Sequence, residues 1–332
     1  MIRPCDDPAA WDAYVEAHPG ATQYHRHAWL GVIQRSFGHR PLALAAYSGE
    51  RITGVFPMVF MSSFLFGRFA VSLPFVNYGG LLANGPDVER ALWSEAVARA
   101  RAGGSRYLEA RHLARRDFVP HRREHKVTMI LELAPDADRQ WKAFDAKLRN
   151  QIRKAERSGL TCRIGDARDL PAFYDVFACC MRDLGTPVYG SRFFSEVLTT
   201  FGDSSRLFLV EAKEQIVAGG IGLVHGDRLE VPWAASLREY RAMCPNNLLY
   251  WDLIRHAIGM GLRRFDFGRS TPGDGPYRFK EQWGARPVPL SWEYWLGESQ
   301  PLPDLSPKNR KYQARIELWK RLPVAVTRWL GP

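Results

Sequence analysis

Several features that would place a chain in a familiar class are missing from these 332 residues. No run of about 18 uninterrupted apolar residues occurs, the length that a membrane-spanning helix needs. The most apolar stretch, VFPMVFMSSFLFGRFAVSLPFV at Val55–Val76, is interrupted by two prolines and by Arg68, so it predicts a pair of buried strands. The first residues, MIRPCDDPAAWDAY, lack the basic-then-apolar order of a secretory signal.

Cysteine is scarce and poorly spaced for chemistry. The chain has five cysteines, an odd number, with no CxxC spacing, and Cys179 and Cys180 are adjacent. Such spacing provides neither a disulfide framework nor a zinc pattern. We therefore expect reduced thiols and an intracellular protein.

Familiar catalytic motifs are absent as well. The chain has no GxSxG elbow and no Walker GxxxxGK[S/T] loop. HRREH at His121–His125 matches the HxxEH zinc signature on paper, but Pro120 precedes it and the strand-like KVTMILEL follows it. We therefore expect a solvated basic loop there. HRH at His25–His27 is more typical of a helix cap than of a metal pair, and we expect no metal.

What the chain does have is positive charge. It carries 46 Lys and Arg against 35 Asp and Glu, a net charge of +11, within an otherwise ordinary globular composition. This excess favours an anionic partner, which could be a nucleic acid, a phosphorylated small molecule or an acidic membrane surface. In KLRNQIRKAERSG, Arg149 and Arg153 share one helix face, which could contact phosphate or could simply be solvated.

An internal repeat is the strongest organising signal. LALAAYSGERITGVF (Leu42–Phe56) and RLFLVEAKEQIVAGG (Arg206–Gly220) align at a constant offset, and each predicts a β-hairpin. LWSEAVARARAGGSRYLEAR (Leu92–Arg111) and YWDLIRHAIGMGLRRFDFGR (Tyr250–Arg269) also align, and each predicts a helix closed by glycine and then a short strand. The chain therefore predicts two copies of one unit.

The other patterns complete the predicted organisation. Further helices are predicted at Pro8–Ala17, His27–Ser36, Trp141–Leu160 and Leu170–Leu184. The Pro-rich ESQPLPDLSP marks the end of the second copy and precedes a basic, Trp-bearing tail. We expect a first domain at residues 1–140, a second at 141–300 and a tail at 301–332.

Two segments belong to the second copy alone. GRSTPGDGPYRFKEQWG (Gly268–Gly284) follows its last strand, whereas the first copy continues with HLARRDFVPHRREH, which has no glycine. This asymmetry predicts that the active cleft is built by the second copy. Arg241 lies just before the predicted helix that begins near PNN, and a helix N-terminus preceded by arginine is a ready anion site. Plain capping by Asn246 or Asn247 is the alternative, and both roles are compatible.

The two copies, the RNQIRKAERSG helix between them, the PNNLLYW and FDFGRS segments and GPYRFKEQWG resemble the FemAB family. The tail NRKYQARIELWKRLPVAVTRWLGP is similar to that of FemAB-like proteins associated with exosortase/PEP-CTERM and exopolysaccharide loci. The resemblance implies an α/β (α+β) fold of two tandem GNAT-like (acyl-CoA N-acyltransferase-type) domains, with mixed sheets flanked by helices. It also implies N-acyl or aminoacyl transfer to an amine of a cell-envelope acceptor such as a peptidoglycan precursor.

The same resemblance leaves the donor open. FemAB proteins use aminoacyl-tRNA, and their acetyltransferase relatives use acyl-CoA. The pyrophosphate loop of acetyltransferases, [Q/R]xxGxG/A, corresponds here to RAMCPN, which keeps Arg241 and replaces both glycines. We therefore expect a tRNA or CoA-type donor and no tightly bound cofactor.

Residue roles follow from the family pattern. The aromatic–lysine pair that contacts the donor near its reacting carbonyl corresponds to Phe279 and Lys280. A cation at Lys280 would stabilise the oxyanion or a donor phosphate. Two strand carboxylates, Asp266 and Glu230, could remove the proton of the acceptor amine. Asp266 could instead bond a neighbouring backbone group, and positioning alone could suffice without a base.

The remaining candidate contacts fall into groups. We expect the donor phosphates to be held by Arg241 and Asn247 with Arg149 and Arg153, the cleft to be lined by Arg269, Tyr277 and Trp233, and the acceptor to be held by Asn77 and Tyr78 of VNYGG. The expected acceptor is a glycan- or peptide-linked amine, with no covalent enzyme intermediate. Two other classes stay open: a non-catalytic RNA- or polyanion-binding protein, and an accessory factor docked by its tail at the inner face of the membrane.

Overall fold

A computed structural model describes residues 1–63, 67–303 and 310–331. They form two compact units, of which the first comprises Met1–Thr128, Arg269–Asp274 and Pro287–Pro303. The second comprises Met129–Gly268, Gly275–Arg286 and the described residues 310–331. This division differs from the contiguous ranges 1–140, 141–300 and 301–332 that we expected, because the chain returns to the first unit after residue 286. Of the predicted tail, residues 304–309 and 332 lie outside the described part.

Helices and strands are mixed along the chain rather than separated into two blocks. In order they are β1 (Ile2–Pro4), α1 (Pro8–Ala17), α2 (Ala28–Phe37), β2 (Arg40–Ser48), β3 (Arg51–Ser63), β4 (Gly67–Val71), β5 (Leu82–Ala83), α3 (Pro86–Ala102), β6 (Tyr107–His112), β7 (His121–Glu132), α4 (Ala137–Ala143), α5 (Ala146–Arg157), β8 (Leu160–Gly165), α6 (Leu170–Asp183), α7 (Ser191–Phe201), β9 (Ser205–Ala212), β10 (Gln215–His225), β11 (Arg228–Ser236), α8 (Pro245–Gly259), β12 (Arg264–Ser270), α9 (Gly275–Glu281), β13 (Arg286–Leu296), α10 (Arg310–Lys320) and α11 (Val324–Trp329).

The sheet of the first unit contains the order β1-β2-β3-β4-β6-β13, with β5 paired to β3. Strands β2 and β3 form the predicted hairpin, with Leu44 opposite Phe56. Strand β4 then runs parallel to β6, with Ala70 opposite Leu108. Residues 55–59 of β3 are buried throughout, which explains why this stretch imitates a membrane span. The prediction of paired buried strands is confirmed, apart from residues 64–66, which lie outside the described ranges.

The second unit repeats this plan in the order β12-β11-β10-β9-β8. Strands β9 and β10 form a hairpin, β11 pairs with β10, and α8 leads to β12, which runs parallel to β11. A parallel pair needs such a crossover, and a helix is its usual form. Almost every residue of α8 on the sheet side is buried, including Leu249, Leu253 and Ile254. The repeat predicted from the sequence is therefore confirmed.

Helix α1 agrees with its prediction, whereas the single helix expected at Trp141–Leu160 is two helices, α4 and α5, because the chain is extended at Phe144 and Asp145 and the Asp145 side chain caps a new helix. The side chain of Asp7 accepts hydrogen bonds from two backbone N–H groups at the start of α1, and that of Asp145 accepts one from Leu148 at the start of α5. Capping of this kind is typically worth about 1 kcal/mol. Helices α2 and α6 also agree with their predictions within a residue or so.

The HRREH segment is a strand rather than the loop we expected. Strand β7 begins at His121, because the segment continues directly into the apolar KVTMIL run. In a strand, His121 and His125 lie on one face but about 13 Å apart, too far to share an ion. Within the described ranges, no group of three metal-ligating side chains is clustered.

The C-terminal helices pack on α6 of the second unit. Arg328 pairs with Asp175 at 2.6 Å, the Arg182 guanidinium donates to the Leu322 carbonyl at 3.3 Å, and the side chain of Thr327 is buried. Much of the predicted tail is therefore folded structure. None of the described helices combines the length and the apolar character that a bilayer crossing requires.

Candidate functional site

The candidate site of the second unit begins where two parallel strands separate. Pairing between β11 and β12 runs from Arg228 opposite Arg264 to Glu230 opposite Asp266. Beyond that point β11 continues to Ser236 and β12 to Ser270 without further register between them in the described chain. Strands that stop pairing leave backbone groups that can bond a ligand. This separation is the feature around which the predicted residues can be placed.

A β-bulge lies in β11 at the same point. The register between β10 and β11 shifts between Ile221, opposite Trp233, and Leu223, opposite Glu230. A bulge bends its strand and redirects the side chains that follow it, and bulges are frequent beside active sites. Here the strand turns Trp233 towards α7, where its ring meets those of Phe193 and Phe194 at 5.2 and 5.6 Å.

Lys280 approaches the end of β12. It lies on α9 with only 7% of its surface exposed, and its Nζ donates to the carbonyl oxygen of Gly268 at 2.9 Å. Gly268 has φ +72°, a backbone conformation that a side chain would strain. The glycine therefore turns its peptide so that a helix placed after the loop can bond it. The loop in GRSTPGDGPYRFKEQWG therefore brings Lys280 back to the strand that the loop leaves.

Asp266 holds the same glycine from the other side. Its Oδ1 accepts from the Gly268 N–H at 2.8 Å, and its Oδ2 lies 3.7 Å from the Arg228 guanidinium. The side chain is fully buried. This geometry favours the backbone-bonding alternative for Asp266 over the role of a base.

Glu230 is the other buried carboxylate at the separation. Phe265 and Phe267 pack against Tyr250 of α8, so the alternation of β12 directs Asp266 to the opposite face. Glu230, its parallel partner, lies on that same face with 3% exposure. Two buried carboxylates thus lie side by side where the strands begin to separate.

The aromatic candidates are mainly packed. The ring centroid of Phe279 lies 5.4 Å from that of Tyr250 and 6.2 Å from that of Trp283. The contact with Tyr250 packs α9 against α8. Trp233 is 4% exposed, which makes it part of the packing on α7 as much as a lining residue. Tyr277 is half-buried on the same short helix as Lys280.

The N-terminus of α8 has no side-chain cap, which agrees only in part with the prediction. It begins at Pro245 after Cys244 in a left-handed conformation, and no side chain caps it. Asn247 is buried and donates to Gln151 on α5 at 3.2 Å, so its amide joins two helices. Arg241 is exposed on the preceding turn, as a phosphate contact would need.

The basic face of α5 is solvent-facing. Arg153 stacks over Trp141 at 5.4 Å and Arg149 donates weakly to the Lys142 carbonyl at 3.4 Å. Arg153 is exposed and Arg149 is half-buried, and each guanidinium has more donors than these contacts use. The geometry is compatible with either phosphate contact or a solvated face.

Three candidates lie in the first unit. Tyr78 is fully buried with its ring 5.1 Å from Tyr24, and Asn77 beside it is 8% exposed. Arg269 is exposed and stacks over Trp292 at 5.2 Å. Tyr78 is therefore packed in the core, whereas Arg269 is placed to meet solvent molecules.

The first unit also holds a buried polar cluster that sequence reasoning missed. Nδ1 of His112 lies 2.6 Å from Oε2 of Glu293, and both side chains are buried. Burial raises the pKa of Glu293 to about 7, and burial with the nearby Arg116 lowers the pKa of His112 well below its usual value. The pair is thus close to neutral. The available signal was a single acid in the aromatic strand SWEYWL, since an unpaired carboxylate is expensive to bury.

A second carboxylate of this cluster is paired. Glu109 accepts from the Arg111 guanidinium at 2.7 Å and from the Tyr294 hydroxyl at 3.0 Å. Burial, with Glu109 beside it, raises the pKa of Tyr294 far above its usual value. The hydroxyl therefore stays a hydrogen-bond donor at any physiological pH.

Comparison with known proteins shows which families and structures this chain resembles. Residues 142–281 match the family described as acetyltransferase (GNAT) domain. A UDP-N-acetylmuramoylpentapeptide-lysine N(6)-alanyltransferase of Weissella viridescens is 22% identical over 162 residues, which is 47% of this chain and 48% of that protein. The chain thus matches about half the length of that curated relative.

Solved structures resemble nearly the whole chain. The crystal structure of FemX has a TM-score of 0.68 at 14% identity and covers 88% of this chain and 96% of its own. A tandem GNAT protein from the clavulanic acid biosynthesis pathway has a TM-score of 0.55 at 14% identity, covering 91% and 99%. These likenesses confirm the expected fold, in which GNAT-like units with mixed sheets and flanking helices occur in tandem.

Proposed function

We propose that this chain is an acyltransferase or aminoacyltransferase that modifies an amine of a cell-envelope or exopolysaccharide-related acceptor. The observation that carries the proposal is the contact of the Lys280 ammonium with the Gly268 carbonyl at 2.9 Å. It lies beside the separated ends of β11 and β12, inside the segment that matches the GNAT domain family.

The chemistry that such a site could perform is amide formation. The acceptor amine attacks the ester carbonyl of an aminoacyl-tRNA or the thioester carbonyl of an acyl-CoA. A C–N bond forms and the C–O or C–S bond breaks, and the proton lost by the amine ends on the departing hydroxyl or thiol. Negative charge develops on the carbonyl oxygen, and a fixed cation such as Lys280 stabilises it directly.

Of the two carboxylates, we assign the base to Glu230. Asp266 already accepts from Gly268 and faces Arg228, so protonating it would weaken the turn that Lys280 bonds. Glu230 lies beside it on the same face of the sheet. Alignment of donor and acceptor supplies part of the rate whether or not a base acts.

We assign donor binding to the uncapped N-terminus of α8, to Arg241 and to the basic face of α5 with Arg149 and Arg153. The helix N-terminus attracts phosphate and the guanidinium groups bind it in bidentate fashion. Asn247 would act by holding α5 against α8 through Gln151. The charge of +11 favours a large anion, and aminoacyl-tRNA is the larger of the two donors.

Within the second unit we assign acceptor contact to Tyr277, supported by the packing of Phe279 and Trp233, and within the first unit to Arg269, supported by the packing of Asn77 and Tyr78. The relative from W. viridescens is named for alanyl transfer to a lysine of a peptidoglycan precursor, which supports a peptide-linked amine. Association with an exosortase/PEP-CTERM or exopolysaccharide system is a narrower proposal that rests on the similarity of the tail.

A second candidate function is supported by the C-terminal helices. The side chain of Trp329 is 85% exposed, that of Leu318 is 63% exposed, and Leu330 and Val326 are also exposed. Arg315 and Arg321 lie among them. Exposed apolar and aromatic groups with basic neighbours fit the surface of an anionic bilayer. We propose peripheral contact with the inner face of the membrane through α10 and α11.

The transfer proposal is tested by offering the two kinds of donor in separate reactions. Purified protein is incubated with labelled aminoacyl-tRNA or labelled acyl-CoA and an extract of cell-wall and polysaccharide precursors, and mass transfer to an amine is read. Transfer from one donor that is lost in Lys280→Met and kept in Arg278→Gln supports the proposal. Transfer from neither donor contradicts it, and retained binding of RNA by both variants then favours a non-catalytic polyanion-binding protein.

A further inference from the structure

The first unit has a wide groove at one end of its sheet that the proposed reaction does not use. The volume is about 740 Å³, which is within the range of small-molecule sites. Its lining comes from the start of β2, the end of β3, the start of β4 and the last turn of α3 with the residues after it. Asn77 and Tyr78 follow the other end of β4. The groove is therefore separate from the acceptor contacts proposed for this unit.

The charge of this groove has one sign. The lining side chains that can carry charge are His39, Arg40, Arg68 and Arg99, and no carboxylate is among the described lining residues. Arg99 is already paired at 2.7 Å with Glu95, which lies outside the lining. Within the described ranges, the guanidinium groups of Arg40 and Arg68 have neither an ion pair nor a hydrogen bond. Two uncompensated cations thus border the groove.

The strand register places these two arginines on the same face of the sheet. Arg40 of β2 lies opposite Phe60 of β3, and Ser62, two residues further along β3, lies opposite Arg68 of β4. Residues directly opposite each other share a face, and so do residues two apart in one strand. The strand spacings put the Cα atoms of Arg40 and Arg68 about 12 Å apart. Two long side chains on one face at this separation can reach a single anion between them.

The turn after α3 shows that both side chains approach the same place. The Arg40 guanidinium lies over the ring of Phe60, 4.4 Å from its centroid. A Cβ at Gly103 would lie only 2.8 Å from Cε1 of that ring, and a Cβ at Gly104 would lie 3.5 Å from Nη1 of Arg68. Since the two glycines are consecutive, both guanidinium groups border one turn. The lack of a side chain at Gly103 also leaves room for the ring on which Arg40 stacks.

We propose that this groove binds the phosphate group of a small phosphate ester between the guanidinium groups of Arg40 and Arg68. The organic part of the ligand lies against Leu42 and Phe60, which are partly buried and pack on the core of the first unit. The site lies within the first unit and does not depend on the proposed transfer reaction. Its occupant can therefore be detected without any donor.

The two guanidinium groups select phosphate among common anions. Each guanidinium offers a planar fork of donors, and stacking on a ring uses its face while leaving those in-plane donors available. A phosphate ester carries nearly two negative charges at neutral pH and has three acceptor oxygens, so it can bond both forks and balance both charges. A carboxylate has one charge and two oxygens, which one fork already satisfies.

Calorimetric titration with phenyl phosphate tests the ligand class. Benzyl alcohol is the neutral comparison and inorganic phosphate is the anion without an organic part. We expect saturable binding of phenyl phosphate, weaker binding of inorganic phosphate and no binding of benzyl alcohol. Absence of saturable phenyl phosphate binding, or equal binding of benzyl alcohol, would overturn the proposal. Inorganic phosphate bound as tightly as phenyl phosphate would refute the place given to the organic part.

A matched set of variants tests the location. Arg40→Gln and Arg68→Gln each remove one charged donor group, and each should weaken phenyl phosphate binding roughly tenfold or more. Arg90→Gln is the control, because Arg90 is exposed and stacks over Phe118 at 5.1 Å but does not line the groove. All three side chains are exposed, so the melting temperatures should stay close to that of the unsubstituted protein.

The same variants identify the outcomes that contradict the site. Unchanged affinity in both Arg40→Gln and Arg68→Gln would show that phenyl phosphate binds elsewhere. Equal losses in all three variants would show general attraction by positive charge rather than binding in the groove. Binding of a single-stranded RNA that is lost in Arg40→Gln and Arg68→Gln, without any binding of phenyl phosphate, would assign the groove to a nucleic-acid backbone and overturn the small ligand.

Discussion

Asp266 and Lys280 bind the two backbone polar groups of one residue, Gly268. The carboxylate accepts from its N–H at 2.8 Å and the ammonium donates to its carbonyl at 2.9 Å. Since Gly268 has a positive φ, both contacts fix a turn that the strand would not otherwise make. A buried acid and a buried base, fourteen residues apart in sequence, thereby set the geometry of the separated strand end.

Substitution of Lys280 should remove activity without unfolding the chain. Lys280→Met keeps the length and apolar stem of the side chain and removes the cation, and we expect transfer to slow by about 100- to 1000-fold. Single-turnover kinetics with saturating donor and acceptor measure this step. Arg278→Gln, an exposed change on the same helix, is the control. If Lys280→Met lowers the melting temperature and leaves the transfer rate unchanged, the lysine serves only to hold Gly268.

Asp266 should matter more for stability than for proton transfer. Asp266→Ala leaves the Gly268 N–H and the Arg228 guanidinium without their buried acceptor, which should lower the free energy of unfolding by about 3 kcal/mol. Asp266→Asn retains an oxygen for Gly268 and should cost less. Urea titration measures both. An Asp266→Asn protein of unchanged stability but with its transfer reduced like that of a catalytic variant would reassign the base to Asp266.

Glu230 is expected to show the opposite behaviour. Glu230→Gln preserves shape and some hydrogen bonding while removing the base, so the rate should fall by about 100-fold or more with little change in melting temperature. A change in the pH–rate profile on its acid limb would accompany the loss. If rate and profile are both unaffected, positioning of the two substrates accounts for the reaction and no carboxylate base is needed.

The exposed C-terminal side chains should bind anionic lipid. Replacing both Trp329 and Leu330 by serine removes exposed apolar surface without touching the Arg328–Asp175 contact. We expect the variant to sediment less with phosphatidylglycerol vesicles than the unsubstituted protein, and neither to sediment with phosphatidylcholine vesicles. Leu184→Ser, an exposed apolar change at the residue that follows α6, tests whether loss of any exposed apolar group has the same effect. Equal sedimentation of all three proteins with the anionic vesicles would rule out this contact.

The sequence predicts the repeated architecture well because that architecture is local. Each hairpin, helix and strand is specified by the apolar periodicity and the glycines of its own segment. The segments Leu42–Phe56 and Arg206–Gly220 therefore both form their hairpins. The return of β13 to β6 is different, because it joins Tyr294 to Glu109 across most of the chain. Nothing in the local pattern of residues 286–296 specifies which strand will be its partner. The contiguous domain ranges fail for this reason.

Site residues were harder to predict wherever packing decides their role. Asn247 was expected to contact phosphate, yet its amide bonds Gln151, which the sequence places almost a hundred residues earlier. Trp233 was expected to line the cleft, yet a one-residue bulge sets its direction, and hydrophobic alternation cannot reveal a bulge. His112 was not singled out at all, because only the distant Glu293 makes it unusual.

The His112–Glu293 pair leads to a prediction about stability and pH. Burial raises the pKa of Glu293 from 4.5 to about 7, so this group stabilises the folded protein below pH 4.5, and its contribution is lost as pH rises towards 7. Burial lowers the pKa of His112 well below 6.5, so its contribution is gained as pH rises to 6.5. Between these limits the folded pair and the unfolded pair each hold one proton, and the two contributions cancel.

Each single substitution should reveal how titration of the remaining group changes the free energy of unfolding with pH. In Glu293→Gln only the histidine titrates, so the free energy of unfolding relative to the unsubstituted protein should rise with pH between about 4.5 and 6.5. In His112→Gln only the carboxyl titrates, so the relative free energy should fall over the same interval. Each slope is limited to about 1.4 kcal/mol per pH unit, the value for one proton. Urea denaturation at several pH values measures the slopes. Two slopes of the same sign would contradict the assigned directions of the two pKa shifts, because one of the remaining groups would then titrate in the folded protein in the direction opposite to the one that burial gives.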